Sequence, residues 1–506
     1  PGRCSHSRLK KDERRNGTRQ ISSWHWFILP PYFESLNFDR CLPVIQGPDR
    51  KVVLMTRKSS TYLKVIFTIA IPVTAQRLVE FALIMTDSFF IGTYNPAGYS
   101  AINNVFMPYF MLFSFFFAIS QGVTIMVSQQ IGAKRKHLAR RFTETAFFFN
   151  CLLSFGYLLF WQVLGSSVLK LMGARGEILG IGKAYLGMLS LQFISAGIGI
   201  TANASLQADG KTLPGMISTI IKVGLNIFLD WVLIFGKLGF PELGIMGAGI
   251  GTAVSAIAGD AFIAIWFFKL KHFRVRLSGI LQPVPRLFGS ILRLGIPVGM
   301  EYFLWTAGQT VMTGFINRYD TVSSGYFLLL TNFLLLAMSL FDGIGVAGLV
   351  LIGQATGAKK PREARYAASY ALVLSQLVCT AGLVAYLGFP EQMLSIYLEE
   401  TAVIQFLVPL LRFYGFACFF KALNIISGNS IRGTGNTIWM LYTQVGGTIF
   451  IIATSALFIF GLELGLFSLL LAATLDEALR SIVNTVKFYH AQNRLIRLQE
   501  ENTKQP

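Results

Sequence analysis

Charge is scarce in this 506-residue chain: Asp, Glu, Lys and Arg make up 14% of it, against roughly 25% in average soluble domains. Too few charges to cover several separate cores excludes a soluble globular protein. Cysteine is scarce as well. Cys4, Cys41, Cys151, Cys379 and Cys418 have neither disulfide nor metal-ligand spacing, and three lie in apolar segments, where they read as small hydrophobes. His6, His25, His137, His272 and His490 fall in the N-terminal tail or in basic connections, so no buried His-metal site and no metalloenzyme is expected. A glycine-rich Walker-type phosphate loop is missing too, which fits a protein not driven by ATP.

What is abundant is apolar sequence, 53% of the chain with mean hydropathy +0.55. That composition belongs to a polytopic membrane protein. Twelve segments reach the roughly 20 apolar residues needed to cross a hydrocarbon core: 63–93, 101–127, 138–164, 180–206, 213–236, 245–270, 287–318, 325–352, 365–388, 402–431, 437–461 and 464–488. Residues 1–56 stand apart, rich in Lys and Arg and lacking both a spanning run and a signal-peptide apolar region. They are expected to be a disordered or artefactual extension, with Met55 as the working start.

The formal charge of +19 is informative through its placement. Alternate connections hold 23 and 5 Lys or Arg, the rich set including Lys134 to Arg141, Lys269 to Arg286 and Lys359 to Arg365. Basic connections stay cytoplasmic. Both termini are therefore expected in the cytoplasm of a multi-pass cell-membrane protein, as an even number of crossings requires. These runs read as topology signals and lipid headgroup contacts, not as nucleic-acid sites.

The chain also repeats itself. Ile71-Pro72-Val73 recurs as Ile296-Pro297-Val298, Gln129, Gly132, Ala133 and Lys134 as Gln354, Gly357, Ala358 and Lys359, and Gly210 and Thr212 as Gly435 and Thr437, each pair 225 residues apart. Three matches at one offset argue for two similar six-helix lobes related by an axis along the membrane normal, with a path between them. The expected organisation is an N-terminal lobe over 57–275, a cytoplasmic linker over 276–286, a C-terminal lobe over 287–490 and a cytoplasmic tail over 491–506.

Residues 60 to about 490 resemble the multidrug and toxic compound extrusion (MATE) family of the flippase-exporter superfamily. The resemblance is carried by Ile71-Pro72, Thr86-Asp87-Ser88-Phe89-Phe90-Ile91-Gly92, Gln129-Gln130-Ile131-Gly132-Ala133, Asn226-Ile227-Phe228-Leu229-Asp230 with Leu233-Ile234-Phe235-Gly236, Gly247 to Thr252, and Ile431 to Thr437. It implies cation-coupled export of organic compounds by alternating access. It also implies that Asp87, Asn226, Asp230 and Thr252 form a cation site in the N-terminal lobe.

The residue types support the same site independently. A lone carboxylate at mid-bilayer costs on the order of 3 kcal/mol on insertion scales, so one found there usually faces a cavity. Asn226 and Asp230 are one helical turn apart on one face, and Thr252 can add a hydroxyl from the next helix. Carboxyls brought together in a desolvated pocket can share a proton, and carboxylate, amide and hydroxyl oxygens also suit sodium, so the coupling ion stays open between the two. A structural alternative is that Asn226 and Asp230 only hold helices together. At the 225-residue offset Asp87 meets Met312 and Asn226 meets Ile451, so coupling is expected to rest on the N-terminal lobe alone.

Secondary candidates are Glu301, Lys421 and Glu80. Glu301 matches a glutamate position used by some family members; their acidic partner aligns with Lys421, and a buried Glu301–Lys421 ion pair is expected. Arg77 and Glu80 are expected to pair, Asp476, Glu477 and Arg480 to form a packing network, and Asp260 and Asp342 have no evident partner in the sequence. Pro72, Pro108 and Pro297 allow kinks within spans. Some of the 44 Phe and 14 Met are expected to line a soft cavity for aromatic cargo.

The expected molecule is thus an all-α, twelve-helix antiporter. It exports small organic, often cationic and aromatic compounds in exchange for protons or sodium, without cofactor, resident metal or catalytic reaction, as a monomer in lipid. The alternatives are a lipid-linked oligosaccharide flippase of the same superfamily and an intramembrane enzyme.

Overall fold

The computed structural model describes residues 57–269 and 274–504. The extension over 1–56, with the proposed start at Met55, lies outside the described residues, as do Cys4, Cys41, His6, His25 and His272. Backbone amides in hydrocarbon must find partners within their own segment, and the described residues accordingly form long helices and no strand.

Twelve of these helices order the fold. In the first half they are α1 (Arg57–Tyr94), α2 (Pro96–Gly132), α3 (Lys136–Leu171), α4 (Gly176–Leu189 continuing as Phe193–Ala208), α5 (Leu213–Ile234) and α6 (Ile245–Lys269). The second half has α7 (Pro285–Tyr319), α8 (Thr321–Gly357), α9 (Pro361–Gly388), α10 (Thr401–Gly433), α11 (Thr437–Ala456) and α12 (Phe467–Lys504). α1 to α11 are long and apolar enough to cross a membrane. α12 falls short of that apolarity because Asp476, Glu477 and Arg480 sit within it, yet all three are buried against protein.

Several expected spans prove too short at their ends, and α4 is interrupted by a 3-10 turn over Ser190–Gln192. Pro72, Pro108 and Pro297 do lie inside α1, α2 and α7, and Pro409 lies inside α10. The residues assigned to a tail continue α12 as helix to Lys504. This extension docks on the start of α9 through Tyr489 to Ser369 at 2.7 Å, Arg365 to Asn493 at 2.8 Å and an Arg362–Glu500 ion pair.

The repeat is visible in the helix ends. α2 ends at Gly132 and α8 at Gly357, α4 at Ala208 and α10 at Gly433, and α3 and α9 begin at Lys136 and Pro361, all 225 residues apart. Each half has its own apolar core. Tyr109, Phe116, Trp161, Tyr185 and Phe193 fill the first, with Phe116 and Tyr157 rings 4.8 Å apart; Phe327, Phe333, Phe341, Tyr386, Leu411 and Tyr414 fill the second.

The halves meet near the basic connections. Ile66, Ile69, Ala70 and Val73 of α1 and Ile125 of α2 join the second core. A reciprocal clamp lies beyond them: Gln129 Nε2 donates to the Gly433 carbonyl at 3.0 Å, and Gln354 Nε2 donates to the Ala208 carbonyl at 3.0 Å. Gly132 lies against the backbone of Gln354 and Gly357 against that of Gln129, so closely that a Cβ on either would sit 1.8 Å from the facing carbonyl oxygen. No side chain larger than hydrogen fits there.

The 276–286 connection is held by α3. Glu144, 1% exposed, accepts the Arg276 backbone N–H at 3.1 Å and pairs with Arg141 at 3.2 Å, while Arg141 also donates to the Gln282 carbonyl at 3.2 Å. Glu144→Gln, which leaves the arginines without their anion, is expected to cost about 2 kcal/mol, read as a lower unfolding midpoint of the detergent-purified protein. At the opposite end of α7, Asp320 caps α8 by accepting from Val322 and Ser323 N–H, each at 3.1 Å. The Ser323 hydroxyl, followed by the Val322 N–H, holds this carboxyl below the ordinary carboxylate range. Its contribution is present above the unfolded-state value and is lost as pH falls through the depressed one. Asp320→Ala should therefore lower the unfolding midpoint at neutral pH and make no difference in strong acid.

Candidate functional site

Asp87 comes from the last third of α1, Asn226 and Asp230 from α5, and Thr252 from the start of α6. Helical spacing stacks Asn226 over Asp230, and α5 packs beside both α1 and α6. All four predicted residues are thereby brought together. Asp230 and Asn226 are 0% and 1% exposed, while Asp87 and Thr252 are half-buried.

The pocket is built of oxygen atoms. Asn226 ties the two acids together, its amide group lying within hydrogen-bonding distance of an oxygen of each. The Asn226 amide fits with its nitrogen donating to Asp87 Oδ1 at 2.9 Å and its oxygen accepting from the Thr252 N–H at 3.2 Å and hydroxyl at 3.3 Å. Asp230 Oδ2 is buried with no hydrogen-bond partner. Among the described residues no Lys or Arg pairs with either acid, and Tyr185 of α4 is buried beside them. Two carboxyls, one orphaned oxygen and no ion-paired Lys or Arg leave the pocket short of positive charge, and an unpaired carboxylate in such surroundings is costly. Carboxylate, amide and hydroxyl donors fit a hard monovalent ion as they fit a proton.

The expected Glu301–Lys421 ion pair is not formed. Glu301 pairs with Arg432, and Lys421 Nζ instead reaches Glu477 at 2.5 Å. The reason is helical register: Lys421 and Arg432 lie eleven residues apart on α10, about 16 Å along the axis, so one residue near Glu301 leaves the other out of reach. Lys421 also lies over the Trp305 ring at 5.6 Å. Glu477 accepts from Asn424 at 2.8 Å and Arg480 at 2.8 Å, and Arg480 also pairs with Asp476 at 2.5 Å and donates to Gln444 at 2.7 Å. The packing network expected of Asp476, Glu477 and Arg480 exists, enlarged by Lys421.

Glu80 lies outside the carboxyl pocket. It pairs with Arg77 at 2.9 Å and accepts from Gln76 at 3.0 Å. Arg77 also bridges the halves to Asp342 of α8 at 2.9 Å, which gives Asp342 the partner the sequence did not reveal. Asp260 likewise has partners, Lys222 at 2.7 Å and Ser195 at 2.8 Å. The clamp glutamines and Glu144 were missed as structural anchors. The repeat of Gln-x-x-Gly was the available signal for the glutamines; Glu144 had none beyond an acid among arginines.

The MatE family model matches this chain twice, over residues 72–232 and 297–457, again 225 residues apart. Curated relatives include the "Probable multidrug resistance protein NorM" of Thermotoga maritima, 27% identical over 74% of this chain and 81% of that protein. The "Multidrug resistance protein PmpM" of Pseudomonas aeruginosa is also 27% identical, over 74% of this chain and 79% of its own. Among solved structures, one described as the outward-facing conformation of a multidrug resistance MATE family transporter superposes with a TM-score of 0.80 at 20% identity, covering 86% of this chain and 97% of that one. That likeness carries the twelve-helix, two-lobe fold. The chain is a multi-pass membrane protein and belongs to the MatE family.

Proposed function

We propose that this protein is a secondary antiporter that exports organic compounds in exchange for protons or sodium, with both termini in the cytoplasm. The observation that carries the reading is that half-buried Asp87 and fully buried Asp230 both lie against Asn226, with a partnerless Asp230 oxygen and no ion-paired Lys or Arg. The names of the NorM and PmpM relatives support multidrug export. In this reading a cation from outside fills the pocket as α1 closes over it, and substrate leaves from between the lobes when the pocket fills. Release of the cation inward resets the cycle. The residues' work is binding and orientation, and no bond of the substrate is broken.

Energetics set what coupling must supply. One charge crossing about 150 mV yields roughly 3.5 kcal/mol, and a hundredfold gradient of a neutral compound costs about 2.7 kcal/mol. A single cation suffices for such cargo. A monovalent cationic substrate exchanged one for one leaves only the chemical ion gradient as driving force. The test is efflux of ethidium from sealed vesicles holding the protein, under proton and sodium gradients imposed separately. Efflux driven by at least one gradient supports antiport; efflux indifferent to both removes it.

A further inference from the structure

The carboxyl pocket has a counterpart in the second lobe, and its chemistry has been inverted. Moving by the 225-residue offset, Thr252 becomes Glu477, Gly251 becomes Asp476 and Ser255 becomes Arg480, while Ala196 becomes Lys421. In the same step Asp87, Asn226 and Asp230 become Met312, Ile451 and Ser455. The acids have therefore moved from α1 and α5 to the last helix, and two cations have come with them. In the first lobe two carboxyls share the pocket with no base. In the second, two carboxylates face an ammonium and a guanidinium.

Resting on the coupling role proposed for the first lobe, we infer that Lys421 and Arg480 are tethered occupants of a second cation site, which they hold permanently filled. Lys421 Nζ lies 2.5 Å from Glu477, and Arg480 binds Asp476 and Glu477 at 2.5 and 2.8 Å. All four side chains are at most 9% exposed. The cavity they line with Trp305, Gln444 and others is about 30 Å³, room for a water or two and too little for a hydrated ion beside them. A buried carboxylate that loses its partner cation must recruit another positive charge or a proton. Lys421 is thus a specificity-determining residue: its chain-borne charge fixes the number of exchangeable cations to those of the first lobe.

The test counts cations bound to the purified full-length protein, by radioactive sodium binding and by proton uptake across neutral pH. Lys421→Met should bind one cation per chain more than the wild type. Lys421→Arg should not, and Glu477→Gln added to Lys421→Met should abolish the gain. The Asp230→Asn background separates the two readings: there the first-lobe cation disappears while the one created by Lys421→Met remains. Persistence of the wild-type cation in Asp230→Asn alone strikes the first-lobe assignment. An unchanged count in folded Lys421→Met overturns the inference made here. A second measurement keeps Lys421 intact. The Trp305 component of the fluorescence, isolated against Trp305→Phe and read in the Asp230→Asn background where the first-lobe cation is gone, should not respond to sodium or to a proton pulse, because the cation beside that ring is covalently held. A response would show an exchangeable ion there and overturn the inference.

Discussion

Asp230→Asn should insert and fold as the wild type does and lose gradient-driven efflux. The amide is close in size to the carboxylate, so helix packing around Asn226 and Thr252 survives, and the ionisable oxygen pair does not. Exchanged one for one with monovalent ethidium, a hundredfold chemical gradient of the coupling ion, worth about 2.7 kcal/mol, can sustain an ethidium gradient of roughly a hundredfold. With no membrane potential imposed, that ratio should collapse toward unity in the variant, measured as steady-state ethidium distribution across vesicles. Asp87→Asn should behave alike, because each acid needs the other to hold one cation between them. Glu301→Gln should be milder: its partner is Arg432 and it lies outside the pocket. Full accumulation by Asp230→Asn would break the assignment.

Removing the clamp glutamines should shift the resting conformation by about 30-fold. The Gln129Ala/Gln354Ala double variant removes two hydrogen bonds between the lobes, together worth about 2 kcal/mol at roughly 1 kcal/mol each. Both bonds exist only while the lobes touch near the basic connections, so their whole loss falls on that state. Gly132→Ala and Gly357→Ala should act more strongly, since the added methyl would have to enter a backbone carbonyl. A cysteine at Ser128, which is buried in this interface, reports the change in a background without the native cysteines. Its labelling by a membrane-impermeant maleimide applied from the cytoplasmic face should rise by the same factor. Unchanged labelling in all three variants would mean that the clamp does not set the equilibrium.

Much of this architecture was legible because a bilayer leaves few choices. Apolar length revealed twelve segments, the last of them over 464–488 even though Asp476, Glu477 and Arg480 interrupt its apolarity, and the repeat grouped them into two halves. The four pocket residues were readable for a related reason: Asn226 and Asp230 are one turn apart on a single helix, and buried acids at membrane depth are too costly to be incidental. The partners of the other charges were not readable. Which of Lys421 and Arg432 meets Glu301 depends on the rotation and axial register of α10 against α7 and α12, and neither is written in local sequence. The same holds for Arg77, whose i,i+3 partner Glu80 was evident and whose cross-lobe partner Asp342, 265 positions away, was not.

The most direct measurement is the movement of protons and of sodium that accompanies substrate addition to sealed vesicles held without any gradient. Wild-type protein should carry one of these ions against the substrate in fixed proportion, and Asp230→Asn should carry neither. Ion movement of wild-type size in Asp230→Asn would contradict the claim that these two acids hold the coupling cation.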